Sequence, residues 1–309
     1  MHKVAAIMQV KNESSLIAHQ LDVLSLLVDR VVVFDDNSDD DTVAIIGRHP
    51  FNGKITVLKN TSNKRNEGKG YQKCLEIIRS EGYTRMYIAD ADEIVAPYGL
   101  AKMKELLFES DISFNMPFAQ LAMDQSSVYG TNDGGGKMII SNIEGVSFDT
   151  GPMIHTCQPP VPYERKLVDS NDCAVLHYGC SDGVYQIFKC ICYVVWDHQA
   201  YGKKIDDGYV EYFKTYRNFV EHGDEALDKY LWKGEYGIRS PVPYRHWLPE
   251  EVVVLLSNID PLQDFDIHEI IRKLEKNRWA QKNVFRRSGH SMIREIKKAL
   301  RLLKKGLSA

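Results

Sequence analysis

Two carboxylates stand one residue apart at the point where a predicted strand ends. Asp90 and Asp92 follow the apolar run 87–89, which is typical of a strand that is buried up to its last residue. Hard divalent cations take oxygen ligands, so a short carboxylate pair can hold Mg²⁺ or Mn²⁺ and leave coordination positions open for phosphate oxygens. Such pairs also occur in solvated turns, and it is the strand end that favours metal-ion chemistry here.

A second acidic cluster follows another apolar run. Residues 31–34 are three valines and a phenylalanine, and residues 35–41 then include five aspartates. Carboxylates at such a strand end can accept hydrogen bonds from a nucleobase N–H or from ribose hydroxyls. A calcium-binding EF-hand loop that starts at Asp35 would need Gly at 40 and Glu at 46, where the chain has Asp40 and Ile46. The calcium loop is therefore excluded.

The segments that carry these carboxylates alternate between strand and helix patterns. We expect Asn12 or Ser14 to cap the first helix, and apolar residues at helical spacing mark a later one at Tyr71, Cys74, Leu75 and Ile78. Alternating strands and helices predict an α/β fold with a mostly parallel sheet, whose ligands bind beyond the carboxyl ends of the strands. Apolar, β-rich runs predict strands at 4–10, 30–34, 55–58 and 85–89.

Taken together, these segments resemble the nucleotide-diphospho-sugar transferases of the GT-A fold, in particular glycosyltransferase family 2. The resemblance runs from Val4 to about Val95. It comprises a K-N-E turn after the first strand, a V-V-x-D-D-x-S-x-D-x-T element over 32–42, a basic helix start and a D-A-D-E strand end. It implies a metal-dependent glycosyltransferase that moves a sugar, with inversion, from a nucleotide-diphosphate donor (a UDP-sugar is favoured) to a hydroxyl of a glycan or lipid-linked glycan.

The same resemblance implies roles for individual residues. Asp90, Asp92 and His177 would hold Mn²⁺ or Mg²⁺, and Asp92 would be catalytic through the metal that bridges the two phosphates. His155 is a weaker candidate than His177, and a lone histidine is more often structural than a ligand. The nucleotide-sugar would be bound by Gln9, Lys11, Glu13, Asp36, Arg65, Lys69 and Asp90.

The catalytic base has no motif of its own. An inverting transferase needs a carboxylate within hydrogen-bond reach of the acceptor hydroxyl. Asp149, Glu164, Asp172 and Asp182 lie in the later part of the chain, and we favour Asp149.

We expect a GT-A catalytic domain over 1–235, with a nucleotide-sugar-binding half over 1–100 and an acceptor half over 101–235. A helical extension would follow over 236–309. Between 286 and 305, basic residues oppose a stripe of isoleucine and leucine, which predicts an amphipathic helix. This helix would either lie on an anionic membrane surface or pack its apolar stripe against the domain.

The overall composition is that of a globular chain. Its 309 residues are 44% hydrophobic and 26% charged, and the formal net charge of −3 argues against a nucleic-acid-binding protein. No apolar run approaches the roughly 20 residues of a membrane-spanning helix, and the N-terminus lacks a signal-peptide pattern. We therefore expect reduced cysteines and a cytoplasmic protein, or one peripheral on the inner face of a membrane.

Two other functions stay open on the sequence alone. Gly179, Ser181 and Gly183 match G-x-S-x-G, which is the pattern of a serine hydrolase with Ser181 as nucleophile. That reading leaves both acidic clusters unexplained. The other alternative is a non-catalytic, glycan- or membrane-associated protein that retains the fold.

Overall fold

The computed structural model describes residues 3–62, 66–108, 111–122, 126–131, 137–151, 165–179, 193, 202 and 225–241. Two compact units divide the chain, one formed by Met1–Ser181 with Val220–Tyr244 and the other by Asp182–Phe219 with Arg245–Ala309. The predicted helix over 286–305 lies outside the described residues, and the domain boundary at 235 stays a prediction. No helix in the described ranges has the length and hydropathy needed to cross a bilayer.

The first unit alternates strands and helices over its first hundred residues and then becomes mostly strands. In chain order the elements are β1 (Val4–Val10), α1 (Ile17–Ser25), β2 (Arg30–Asp35), α2 (Thr42–Arg48), β3 (Ile55–Lys59), α3 (Glu67–Ser80), β4 (Arg85–Asp90), β5 (Glu93–Val95), α4 (Leu100–Phe108), β6 (Ser113–Asn115), β7 (Phe118–Leu121), β8 (Ser127–Thr131), β9 (Met138–Ile140), β10 (Arg165–Leu167), β11 (Val175–His177) and β12 (Glu225–Ala226).

Among the described residues, the larger sheet has the strand order β10-β6-β9-β4-β1-β2-β3. Strands β3, β2, β1 and β4 run parallel to one another, as the sequence predicts, and each begins at its predicted residue. On its other side, β4 pairs antiparallel with β9. Because β1 lies between β2 and β4, the strand order reverses at β1. In open parallel sheets, ligands bind in the crevice at such a switch point.

The larger sheet is covered on both faces. Along β1, Ala6 and Met8 belong to the core cluster that includes Leu21 of α1, whereas Ile7 belongs to the cluster that includes Tyr71 of α3. Successive residues of a strand point to opposite faces, so α1 and α3 pack on opposite sides of β1. This double burial explains why the first strands are apolar on both faces.

In the middle of the chain, about 110–185, glycines, prolines and short β-like runs predict loops and a mixed edge of the same sheet, and the structure differs from this prediction. In the described residues, β5, β7, β8, β11 and β12 form a second sheet, in the order β12-β8-β7-β11-β5. Strand β5 starts three residues after β4 ends, so the two sheets meet at the D-A-D-E segment. The short β-like runs of the sequence did not reveal which sheet they would join, because that depends on pairing between distant segments.

The predicted cap of α1 is wrong. The helix starts at Ile17, with Leu16 at the N-cap position and no side-chain capping hydrogen bond. Asn12 instead adopts a left-handed conformation with φ of 55°, and its side chain bonds the loop after β2. The polar residues before α1 therefore join two loops instead of starting the helix.

Candidate active site

Four of the predicted binding residues lie where β1, β2 and β4 end, namely Gln9, Lys11, Asp36 and Asp90. In the sheet register, Gln9 of β1 lies beside Asp90 of β4, and Val10 lies beside Asp35 of β2. Carboxyl ends of parallel strands meet at one edge of the sheet, so the two acidic clusters of the sequence come to the same edge. This edge also adjoins the second sheet through β5.

Asp92, Glu93 and His177 form a candidate metal centre. One ligand atom from each lies within 4.8 Å of the others. His177 Nε2 is 3.6 Å from Asp92 Oδ2 and 4.0 Å from Glu93 Oε1. Strand pairing brings these residues together, because β11 runs antiparallel to β5 with His177 opposite Glu93. Two carboxylates and an imidazole suit Mn²⁺, which accepts both oxygen and nitrogen ligands.

The His177 ring is fixed from the side opposite the carboxylates. Its Nδ1 is hydrogen-bonded to Gln120 Oε1 at 2.7 Å, and its Nε2 faces Asp92 Oδ2 at 3.6 Å. The ring also stacks on Phe118, with centroids 5.5 Å apart. A ring held in this orientation presents Nε2 towards the two carboxylates, as a metal ligand would.

Gly179 keeps the space beside the metal centre open. A Cβ on this residue would lie 2.5 Å from His177 Nε2 and 2.7 Å from Asp92 Oδ2, which is closer than real Cβ contacts. The preceding residue, Tyr178, donates its backbone N–H to Asp92 O at 2.8 Å. Burial raises the pKa of Tyr178 to about 12.

Asp90 is held by two neighbours and does not belong to this group of ligand atoms. Its Oδ1 accepts a hydrogen bond from Tyr71 OH at 3.0 Å, and its Oδ2 lies 2.5 Å from Lys137 Nζ. Gln20 also binds the Asp90 carbonyl oxygen with Nε2, at 2.5 Å. The described group is thus Asp92 with Glu93 and His177, where the sequence predicted Asp90 with Asp92 and His177. The ligand roles themselves stay predictions.

Asp36 is buried at the end of β2. Its Oδ1 accepts a hydrogen bond from Asn60 Nδ2 at 2.7 Å, and its backbone N–H donates to Val10 O. Lys11 Nζ contacts the carbonyl oxygens of Asp36 and Asn37, at 3.0 and 3.2 Å. The Asp36 carboxylate is therefore fixed beside the end of β1, as a group that reads a nucleobase must be.

The K-N-E turn and the acidic loop are joined to each other. Burial alone would raise the pKa of Asp40, but hydrogen bonds from Thr42 and Ser14 hold it below its usual value. Much of the acidic loop therefore serves structure. The bonds between the loops run from Asn12 N to Ser38 Oγ (3.0 Å), from Asp39 N to Asn12 Oδ1 (3.0 Å), from Glu13 N to Thr42 Oγ1 (2.7 Å) and from Ser14 N to Asp40 Oδ2 (3.1 Å).

Two glycines bring the start of α3 close to this edge. A Cβ on Gly70 would lie 2.7 Å from Gln9 Nε2, and one on Gly68 would overlap the backbone of Asp149. Gln9 Nε2 donates to Glu67 O, in the first turn of the helix.

The basic residues at this helix start are placed only in part. Lys69 is exposed, and its backbone N–H is capped by Asn66 Oδ1 at 2.9 Å. Arg65 lies outside the described residues.

Asp149, the favoured base, is exposed on the loop that covers the start of α3. Its Oδ1 accepts the backbone N–H of Gly151 at 2.9 Å. The preceding residue, Phe148, stacks on Tyr71 with centroids 5.2 Å apart, and Tyr71 in turn bonds Asp90. Among the other candidates, Asp172 is exposed. His155, Glu164, Ser181 and Asp182 lie outside the described residues.

Three residues of the site escaped the sequence reasoning. Glu93 stands in the D-A-D-E segment, and its place next to Asp92 was the available signal. Tyr71 was assigned only to the helical core face. Nothing in the sequence marks Lys137 as a site residue except that it precedes an apolar run. Its contacts with Asp90 and Glu93 arise from the pairing of β9 with β4, which the sequence does not show.

A sequence profile described as Glycosyl transferase family 2 matches residues 5–170, more than half of the chain. The match covers the strand ends that carry the carboxylates, and it ends before His177. None of the curated proteins matches the chain.

Solved structures are similar at low sequence identity. S. aureus TarS is 14% identical over 71% of this chain and 44% of its own, with a TM-score of 0.43. TarS 1–349 in complex with UDP gives the same identity and TM-score over 72% of its own length. Mycobacterium tuberculosis glucosyl-3-phosphoglycerate synthase, in complex with Mn²⁺, UDP and glucosyl-3-phosphoglycerate, is 18% identical over 38% of this chain and 44% of its own, with a TM-score of 0.28. The chain thus spans less than half the length of the full TarS chain.

Proposed function

The chain belongs to glycosyl transferase family 2 and is a glycosyltransferase of the GT-A fold, and on that premise we propose that it uses a nucleotide-diphosphate sugar and a divalent cation. The sugar passes to a hydroxyl of a glycan or lipid-linked glycan. A UDP-sugar is the favoured donor. The observation that carries the proposal is the close grouping of Asp92, Glu93 and His177. This group lies near the strand ends that carry Asp36 and Asp90.

The residues present fit a divalent cation. Asp92 and Glu93 supply carboxylate oxygens, and His177 presents Nε2 of a ring whose Nδ1 is bonded to Gln120. Gly179 leaves room beside Nε2 for a ligand. When bound there, Mn²⁺ or Mg²⁺ supplies Lewis-acid stabilisation of the negative charge on the departing diphosphate.

The remaining residues bind and orient the donor. Asp36, fixed by Asn60, accepts a hydrogen bond from the N–H of the base, which suits uracil. Asp90, held by Tyr71 and Lys137, accepts hydrogen bonds from the ribose hydroxyls. Gln9, Lys11, Glu13, Arg65 and Lys69 complete the predicted nucleotide site.

The transfer step is proposed as a direct displacement. The acceptor hydroxyl attacks the anomeric carbon, the bond to the diphosphate oxygen breaks, and Asp149 takes the hydroxyl proton. This step inverts the configuration at the anomeric carbon. The basic segment 286–305, outside the described residues, would bring a cytoplasmic enzyme to an anionic membrane surface where lipid-linked acceptors lie.

The first experiment is thermal unfolding of the purified protein with UDP, GDP, dTDP or CMP, each with and without Mn²⁺. A ligand that binds only the native state raises its stability by about 2.7 kcal/mol at a hundredfold excess over Kd. We expect stabilisation by UDP that is larger with Mn²⁺. If none of the nucleotides stabilises the protein, the proposed donor class is contradicted. The alternative of a non-catalytic protein that retains the fold would then be favoured.

The second experiment separates the metal centre from the fold. Asp92→Ala is expected to abolish Mn²⁺-dependent sugar transfer, while Glu105→Ala, on the exposed side of α4, keeps the wild-type rate. Circular dichroism checks that both variants are folded. A wild-type transfer rate in Asp92→Ala would remove Asp92 from the proposed mechanism.

A further inference from the structure

Lys137 is a buried cation at the acidic edge. It immediately precedes β9, which pairs antiparallel with β4, so its backbone lies beside the end of β4. Its carbonyl oxygen accepts the N–H of Met116 at 2.7 Å, and its side chain is only 7% exposed. A buried ammonium group is costly unless carboxylates compensate it, so its partners have to be close.

Two carboxylates flank the ammonium group of Lys137. Nζ lies 2.5 Å from Asp90 Oδ2 and 3.4 Å from Glu93 Oε2. Asp90 has its other oxygen bonded to Tyr71. The ion pair with Lys137 therefore engages Asp90 Oδ2, the oxygen that could otherwise turn towards a metal ion.

Lys137 offsets part of the negative charge of the three carboxylates closest to the candidate metal centre. Asp90, Asp92 and Glu93 carry a formal charge of −3, and Lys137 reduces it to −2. The ligand atoms that converge are those of Asp92, Glu93 and His177, without Asp90.

We propose that Lys137 is a positioning residue that acts as the built-in counter-ion of this edge: it withholds Asp90 from the metal and lowers the affinity for the divalent cation. The inference rests on the proposed metal dependence. Weaker binding lets the metal ion and the nucleoside diphosphate leave after each turnover. Asp90 stays with Tyr71 and Lys137, and is thereby available to the donor.

The test is Mn²⁺ binding without nucleotide, followed by electron paramagnetic resonance of the free ion or by calorimetry. Lys137→Met keeps an unbranched side chain of similar length and removes the charge. A charge 4–6 Å away changes proton affinity by about 1–3 pKa units, so we expect Mn²⁺ to bind about tenfold more tightly to this variant. Lys137→Arg keeps the charge and is expected to bind Mn²⁺ like the wild type.

The decisive variant is the double change Asp90→Asn with Lys137→Met. It removes both members of the ion pair and leaves Asp92 and Glu93 with a formal charge of −2. Because no charge of the pair stays buried without its partner, this variant can be tested even if Lys137→Met alone does not fold. We expect Mn²⁺ affinity within about twofold to threefold of the wild type, because the charge changes cancel and the ligand set is intact. A loss of tenfold or more in the folded double variant would make Asp90 a ligand and overturn the proposal.

The wild-type titration separates this inference from the proposed function. Absence of Mn²⁺ binding in the wild type would count against metal dependence, whereas binding that appears only in Lys137→Met would still support the counter-ion role. Equal or weaker Mn²⁺ binding in folded Lys137→Met than in the wild type would overturn that role.

Discussion

Replacing Gly179 by alanine is expected to damage the metal centre without replacing a ligand. The new Cβ would lie 2.5 Å from His177 Nε2 and 2.7 Å from Asp92 Oδ2, whereas ordinary contact begins at 3.4 Å. Relief therefore needs shifts of about 0.9 Å and 0.7 Å. His177 cannot retreat freely, because Gln120 bonds its far nitrogen and Phe118 stacks on its ring. The ligand atoms are then pushed out of their shared space.

The size of the effect follows from the tolerance of metal sites. Metal–ligand distances in proteins are held within about 0.2 Å, so shifts of 0.7–0.9 Å exceed the tolerance several times. Loss of ligand positioning typically lowers metal affinity by about 10–100-fold, and we expect that range for Gly179→Ala. The assay is Mn²⁺ titration of the purified variant, by paramagnetic resonance or calorimetry.

Gly47 in α2 offers a matched control, because a Cβ there meets nothing within 4 Å. Gly47→Ala is expected to bind Mn²⁺ like the wild type and to unfold at an equal or higher temperature, since alanine is the better helix former. Wild-type Mn²⁺ affinity in folded Gly179→Ala would refute the reasoning. It would mean that the cation does not use the space between His177 and Asp92.

Three further outcomes follow from individual contacts. Burial lowers the pKa of His19 to about 4, so on acidification the unfolded chain takes up the His19 proton at a higher pH than the folded chain does. The free energy of unfolding should therefore fall by about 3 kcal/mol between pH 6.5 and 4. His19→Leu should reduce this fall in a pH series of denaturant unfolding, and the same pH dependence as in the wild type would contradict the reasoning. Tyr71→Phe removes the hydrogen bond from Tyr71 to the Asp90 carboxylate. We expect the affinity for UDP, measured by calorimetry, to fall about tenfold, which is the usual effect of losing a hydrogen bond to a charged acceptor. An unchanged affinity would argue against contact between Asp90 and the nucleotide-sugar. Gly68→Ala places a Cβ 1.7 Å from the Asp149 carbonyl oxygen, so we expect a loss of about 1–3 kcal/mol in unfolding free energy, and a wild-type melting temperature would contradict the described packing.

The parallel half of the fold was predictable because its signals are local. Strands β1 to β4 are short apolar runs, and the acidic residues that follow them stand at the edge where ligands bind such sheets. Tyr71, Cys74 and Ile78 are buried on one face of α3, as their helical spacing predicts. Membership of glycosyl transferase family 2 and the GT-A fold confirm the resemblance seen in the sequence.

The rest of the site depends on pairing between distant segments. His177 reaches Asp92 because β11 pairs with β5, and Lys137 reaches Asp90 because β9 pairs with β4. The three-residue strands β5, β9 and β11 have little intrinsic preference, and tertiary contacts decide their partners. The cap of α1 failed for a related reason, since Asn12 bonds a loop 27 residues away in preference to the nearby helix.

The interlocked loops after β1 and β2 bear on the cost of donor binding. The hydrogen bonds between Asn12, Glu13 or Ser14 and the acidic loop are formed by the protein's own groups, and Asn12 and Asn37 hold left-handed backbone conformations. Ordering a loop upon binding consumes free energy that would otherwise appear as affinity. In the proposed donor site, these hydrogen bonds hold the two loops in place, so less conformational entropy would be lost when a nucleotide binds.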